Sequence, residues 1–172
     1  MTEGSDEKAF LDLLLDRGLL KYSKAELLME EIFHSRQIDT NIMAYIQLLP
    51  NGNAVEIYRV GDKLSDELKV PSRILPEKIS AKYDICTLPE FEILYIINDG
   101  YYEEYLKVKS TQKPSSFYKS KNKDYSKRAS FVNTYFSAMS NEKIIELINE
   151  YVRKHGKTHN KNQYNLSYLL KW

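Results

Sequence analysis

At 172 residues, 42% hydrophobic and 28% charged, the chain has the size and make-up of one globular domain with a real core. A net charge of +1 gives no overall pull toward nucleic acid, and no apolar run approaches a membrane span or a secretory signal. The one cysteine, Cys86, excludes an intramolecular disulfide; inside "YDICTL" it reads as a small buried hydrophobe in a reducing, cytoplasmic setting.

In chain order, Ser5 is set to N-cap a helix carrying Asp6 and Glu7 in its first turn, where the helix dipole favours acids. Phe10, Leu13 and Leu14 make its apolar face, and Gly18 is its stop. A second helix is expected over "SKAELLMEEIFHSRQI", with Ala25, Leu28, Met29 and Ile32 on one face, and a third over "DTNIMAYIQLL" before the turn "PNGN". "AVEIYRV" alternates as a strand, with Val55, Ile57 and Arg59 on one side and Glu56, Tyr58 and Val60 on the other. "GDKLSDEL" predicts a short helix and "YDICTL" another strand. In "TLPEFEILYIIND", Thr87 and Glu90 have capping-box spacing and Pro89 falls in the first turn, which predicts a helix there. "YYEEYLKVKS" continues helically, "TQKPSSFYKSKNKDYSKRASF" is a basic stretch with loops, and "NEKIIELINEYVRKHG" is an amphipathic helix ended by Gly156. "NQYNLSYLLKW" predicts one more helix. The expected class is α/β: a small sheet with flanking helices over residues 1–110, and a basic loop with a mainly helical extension over 111–172, packed on the core as one domain overall.

Four acids invite a chemical reading. Glu3 precedes the helix cap, so capping does not need it; a surface acid is the plain alternative. Asp62 ends the strand "AVEIYRV", where an aspartate also serves as an N-cap, and Asp66 follows four residues later, where a solvated helix face is the alternative. Glu92 is a lone acid among Phe91, Ile93, Leu94, Tyr95, Ile96 and Ile97, and burying it unpaired would be costly. Carboxylates at the carboxyl ends of strands are where α/β sheets gather ligands, and several of them together call for a cation such as Mg²⁺.

"TEGSDEKAF" resembles the first motif of the TOPRIM fold, a glutamate and glycine closing a strand ahead of a helix. "YRVGDKLSD" resembles its second motif, the metal-binding aspartates, and "LPEFEILYIINDGYYEEYLK" resembles the proline–x–phenylalanine–glutamate segment of RloB-like TOPRIM proteins. Those proteins are linked to bacterial defence islands and are relatives of the overcoming-lysogenisation-defect nucleases. The resemblance implies Mg²⁺ (or Mn²⁺)-dependent processing of a nucleic-acid phosphodiester, with Glu3 as general acid/base, Asp62 and Asp66 on the metal, and Glu92 in support. Asp62 and Asp66 are separated by three residues where the family's pair is separated by one. The strand expected ahead of Glu3 is missing from the sequence, and an upstream start supplying about five or six residues is the expected source.

Of 25 basic and 24 acidic residues, eight bases and a single acid fall between Lys107 and Arg128, so the rest of the chain is acidic on balance. Within it, Lys113, Lys119, Lys121, Lys123, Lys127 and Arg128 would meet phosphates, and Tyr118 and Tyr125 would stack on unpaired bases of DNA or RNA. A solvated basic loop is the alternative. His155 and His159 have no third partner nearby and the helix breaks at Gly156 between them, so they make no zinc site. Two further functional readings stand beside the nuclease: a non-catalytic module on a degenerate TOPRIM-like scaffold that holds nucleic acid or a partner ATPase, and a helical adaptor whose acids are only caps and surface.

Overall fold

The alternating run around Ile57 forms β1 (Val55–Gly61), and "YDICTL" lies at the end of a longer strand, β2 (Ile79–Cys86). The two pair in parallel, with Arg59 opposite Asp84 and Gly61 opposite Cys86. β3 (Gln163–Tyr164) adds a short third parallel strand on the far side of β2. The computed structural model describes residues 1–62, 68–155 and 163–171; among them are seven α-helices and this sheet, an α/β fold. No helix among the described residues is long and apolar enough to cross a membrane.

Parallel sheets need cover on both faces, and the strands show it. Val60 and Ile85 face one apolar cluster, whereas Ile57 faces a second. The first cluster is built largely by α1 (Ser5–Asp16), α3 (Ile93–Asn98), α6 (Ala129–Ser137) and α7 (Asn141–His155). The second holds Ile42 and Ile46 of α2 (Thr40–Gln47) together with Leu68 and Ile74. α4 (Tyr102–Val108) and α5 (Pro114–Lys121) add Tyr105, Phe117 and Tyr118 to the first cluster, so the expected C-terminal extension shares the core of the amino-terminal part. Between the strands, buried Arg59 gives Asp84 two bonds of 2.9 Å, which satisfies a charge that the alternating pattern had put on an apolar face.

Several expectations need correction. The apolar spacing over residues 23–38 yields two short 3₁₀ turns, Lys24–Glu26 and Leu28–Glu30, because Met29 and Glu30 both take left-handed backbone angles (φ 55°) that stop a helix. Gly4, not Ser5, is the N-cap of α1. Thr87 and Glu90 cap nothing in α3, which starts only at Ile93: the Thr87 hydroxyl goes to Glu7, and the Glu90 carboxylate accepts the Ser115 N–H (3.0 Å) in the first turn of α5. The basic stretch is largely helical, as α5 and the start of α6. The last segment is β3 and a 3₁₀ turn, Leu166–Leu169, not an α-helix. The short helix expected in "GDKLSDEL" and the side chain of His159 lie outside the described residues.

Candidate functional site

Residues 1–3 form a minimal strand against the free edge of β1. Val60 N–H donates to Met1 O (2.9 Å), and Glu3 N–H donates to Val60 O (3.0 Å). On its other side, Thr2 N–H donates to Phe33 O (2.9 Å), and residue 34 runs parallel to it. Across the sheet the order is therefore residue 34, residue 2, β1, β2, β3. From residue 2 the chain first moves to one side, to residue 34, and then crosses to the other, to β1. That reversal is a topological switch point, and the crevice at the carboxyl ends of the two diverging strands is where open α/β sheets receive ligands. Glu3 and Asp62 stand at those two ends.

The approach there is close. A β-carbon at Gly61 would come within 2.7 Å of the Glu3 carboxylate, so glycine leaves that carboxylate its room. Glu3 is paired with Arg36, and its carbonyl oxygen lies 3.2 Å from His34 Nε2. Asp62 follows Gly61 directly and is half-buried, near enough to act on Glu7. Asp66 lies outside the described residues.

Behind this pair are two acids, Asp6 and Glu7, whose place in the sequence points only to the helix dipole. Glu7 is 5% exposed; its carboxylate accepts the Gly4 N–H (2.8 Å) and the Thr87 hydroxyl (2.9 Å). Gly4 has no side chain to cap α1, so Glu7 reaches back to the N-terminus instead. Burial, with added repulsion from Asp6 and Asp62, pushes the Glu7 carboxyl up to about 7 despite those two bonds. Burial and the field of Glu92 raise Asp6 as well. The Gly4–Glu7 spacing was the available signal for Glu7. Its link to Thr87, eighty residues away, had none.

Glu92 is 1% exposed, and its Oε1 accepts from the Tyr125 hydroxyl and from Lys127 Nζ (2.7 Å). Burial alone would lower the Lys127 ammonium, but its bond to Glu92 and the nearby Glu90 and Asp6 outweigh that and raise it. Lys127→Met should therefore cost about 1–2 kcal/mol, a figure reduced because the lysine side chain is more than half exposed. Adding Glu92→Gln should recover most of the loss. Urea unfolding of the three variants checks this, and an unchanged midpoint for Lys127→Met would show that Glu92 does not depend on it.

No family model, no curated protein and no solved structure matches the chain.

The basic segment divides when its side chains are followed. Tyr118 and Tyr125 are core residues, 0% and 4% exposed, so base stacking on them is ruled out as they stand. Their hydroxyls bond Asp99 and Glu92 instead. Lys119 donates to the carbonyls of Lys123 and Tyr125, and Lys121 pairs with Glu104. Lys113, Lys123 and Arg128 are exposed, and Lys127 borders the acids.

Glu3 and Asp62 are hard oxygen donors of the kind Mg²⁺ takes. Among the described residues, however, no three His, Cys, Asp or Glu side chains group so as to hold a metal ion. The described residues alone do not fit a metal centre, because Glu3 is taken by Arg36, Glu92 by Lys127 and Glu7 by two neutral donors.

Proposed function

We propose that this chain is a TOPRIM-like protein that engages and processes a nucleic-acid phosphodiester at the crevice between residues 1–3 and β1, in bacterial or mobile-element defence. The observation that carries the reading is the position of Glu3 and Asp62 at the carboxyl ends of neighbouring parallel strands, at the switch point of the sheet. On this reading Glu3 is the general acid/base, Asp62 and Asp66 are the ligands for Mg²⁺ or Mn²⁺, and Glu92 supports the floor of the site through its bond to Lys127. Glu7 sits at a pKa near 7 and can hold or release a proton at neutral pH beside Asp62. Arg36, paired with Glu3, and Lys127, paired with Glu92, are each more than half exposed and open to phosphate oxygens.

Cleavage of single-stranded DNA, double-stranded DNA and RNA, with and without Mg²⁺ or Mn²⁺, tests this. Glu3→Gln and Asp62→Asn should each lower metal-dependent cleavage by about 10²-fold or more. A wild-type protein that cleaves nothing, or variants as active as wild type, would sink the catalytic reading.

A second reading has its own support. The pairing of Glu3 with Arg36 and Glu92 with Lys127, and the wide aspartate spacing, favour a non-catalytic module that holds nucleic acid or a partner ATPase. Millimolar Mg²⁺ separates the two, since an ion bound only by the folded state raises the melting midpoint, and the module predicts no shift.

A further inference from the structure

A cavity of about 490 Å³ lies along residues 54–58, beside the amino-terminal half of β1, and neither Glu3 nor Asp62 lines it. Its interior is apolar and draws on both cores: Leu11, Ile32 and Val60 from one, Ile46 and Ile57 from the other. The polar residues of its wall are Tyr22, Tyr58 and three glutamates, Glu26, Glu31 and Glu56. The glutamates are exposed, which puts them at the mouth, and among the described residues no lysine, arginine or histidine lines the cavity. The Met1 amine, bonded to Tyr58 O (2.8 Å), is lowered by burial to about 5 and is uncharged at neutral pH. A cavity of this size, apolar inside with a few polar groups, has the form of a small-molecule site, and the charges on its wall are all negative.

The mouth is built for a positive charge. The Tyr22 and Tyr58 hydroxyls both donate to Glu56 Oε2 (2.9 and 2.5 Å) and lie 2.7 Å from each other, which fixes that carboxylate beside the two rings. The same rings already attract a cation from the chain itself. Lys21 Nζ stands 4.7 Å from the ring centre of Tyr58, 5.4 Å from that of Tyr22 and 3.7 Å from that of Tyr168. Glu26 accepts from the Ser23 N–H and hydroxyl (2.8 and 2.6 Å). Among the described residues none of the three glutamates is in a salt bridge, so their charge is not cancelled by a contact within the chain.

We propose that this cavity binds an organic monocation with an apolar body, an alkylammonium compound, with its head at Glu56 and the rings of Tyr22 and Tyr58 and its chain among Ile32, Ile46 and Ile57. Charge and polarity together select that class. An anion would meet three carboxylates. A neutral apolar compound would use the interior but neither the carboxylates nor the ring quadrupoles, and a small inorganic cation would leave the interior empty. An alkylammonium uses all three, because its chain leaves water for the apolar walls while its weakly hydrated head stays among carboxylates and aromatic faces at the mouth. The cavity is separate from the crevice at the carboxyl end of β1, so binding here neither requires nor tests the processing of a phosphodiester.

The test is an NMR titration of the full chain with four probes. Hexyltrimethylammonium, hexanol and hexanoate share one apolar chain and differ in head charge, and tetramethylammonium is the head alone. Hexyltrimethylammonium should bind about tenfold more tightly than hexanol. It should also bind about tenfold or more above tetramethylammonium, with hexanoate the weakest of the three hexyl compounds. Nuclear Overhauser contacts from its chain to the Ile46 and Ile57 methyls place it in the cavity. Glu31→Gln and Glu56→Gln together, both at exposed positions, should bring the cation and hexanol to about equal affinity. Lys21→Met, which takes a like charge off the rings, should tighten the cation about threefold. Ala54→Trp, at an exposed wall position, should block the cation and hexanol alike. No saturable binding of the cation, equal or tighter binding of hexanol or hexanoate, or an affinity unmoved by the paired glutamine variant would each overturn the proposal.

Discussion

Replacing Glu7 by glutamine should stabilise the folded protein at pH 8 by about 2–3 kcal/mol and flatten its stability between about pH 4.5 and 7. The sign follows from the direction of the shift. The Glu7 carboxyl is raised from 4.5 to about 7 in the fold, so between those values the native state holds a proton that the unfolded chain has given up. Stability therefore falls as pH rises through that window, and the full penalty persists above it. Glutamine is neutral and keeps both contacts, its oxygen accepting the Gly4 N–H and its NH₂ donating to the Thr87 oxygen. Urea unfolding at pH 4.5, 6 and 8 decides it. Parallel pH profiles for the two proteins would mean that Glu7 is not the group responsible.

Phe136→Ala should cost more, about 3–5 kcal/mol. The ring is wholly buried where α6 meets α1 and α3, with Phe10 at 4.5 Å, Tyr135 at 5.0 Å and Tyr95 at 5.4 Å between ring centres. These neighbouring rings are rigid, so a cavity term adds to the lost burial. Phe131, on the same helix but only half-buried, provides the comparison: its alanine variant should lose clearly less in the same denaturation experiment. Equal losses would show that the aromatic cluster repacks.

These two sites also mark what local pattern can and cannot carry. α1, α2, α7 and β1 were readable because their apolar residues recur at the period of the element, and nearby residues decide that period. Residues 23–38 carry the same spacing yet do not form a helix. Their task is to bring Phe33 beside Thr2, and the left-handed turn at Met29 and Glu30 that does so has no periodic signature. Tyr118 and Tyr125 look like a stacking surface because lysines surround them in sequence. Their direction is set instead by Asp99 and Glu92, carboxylates at least 19 residues away in the chain. Glu3 and Asp62 could be singled out from the sequence because Glu3 precedes a helix cap that does not need it and Asp62 follows an alternating apolar run. Glu7 could not be told from an ordinary first-turn acid, because its burial depends on Thr87.

The buried position of Cys86 makes the chain carry its own unfolding clock. Burial, with Asp84 nearby, pushes the thiol up to about 11, so in the folded state it is both shielded and held in its unreactive form. It is the chain's single thiol, at the end of β2, where its carbonyl also accepts the Tyr151 hydroxyl of α7 (3.1 Å). A disulfide reagent can therefore reach it only when the fold opens around the end of β2. The rate of labelling counts those openings without any added dye, and its dependence on reagent concentration tells whether closing or capture is the slower step.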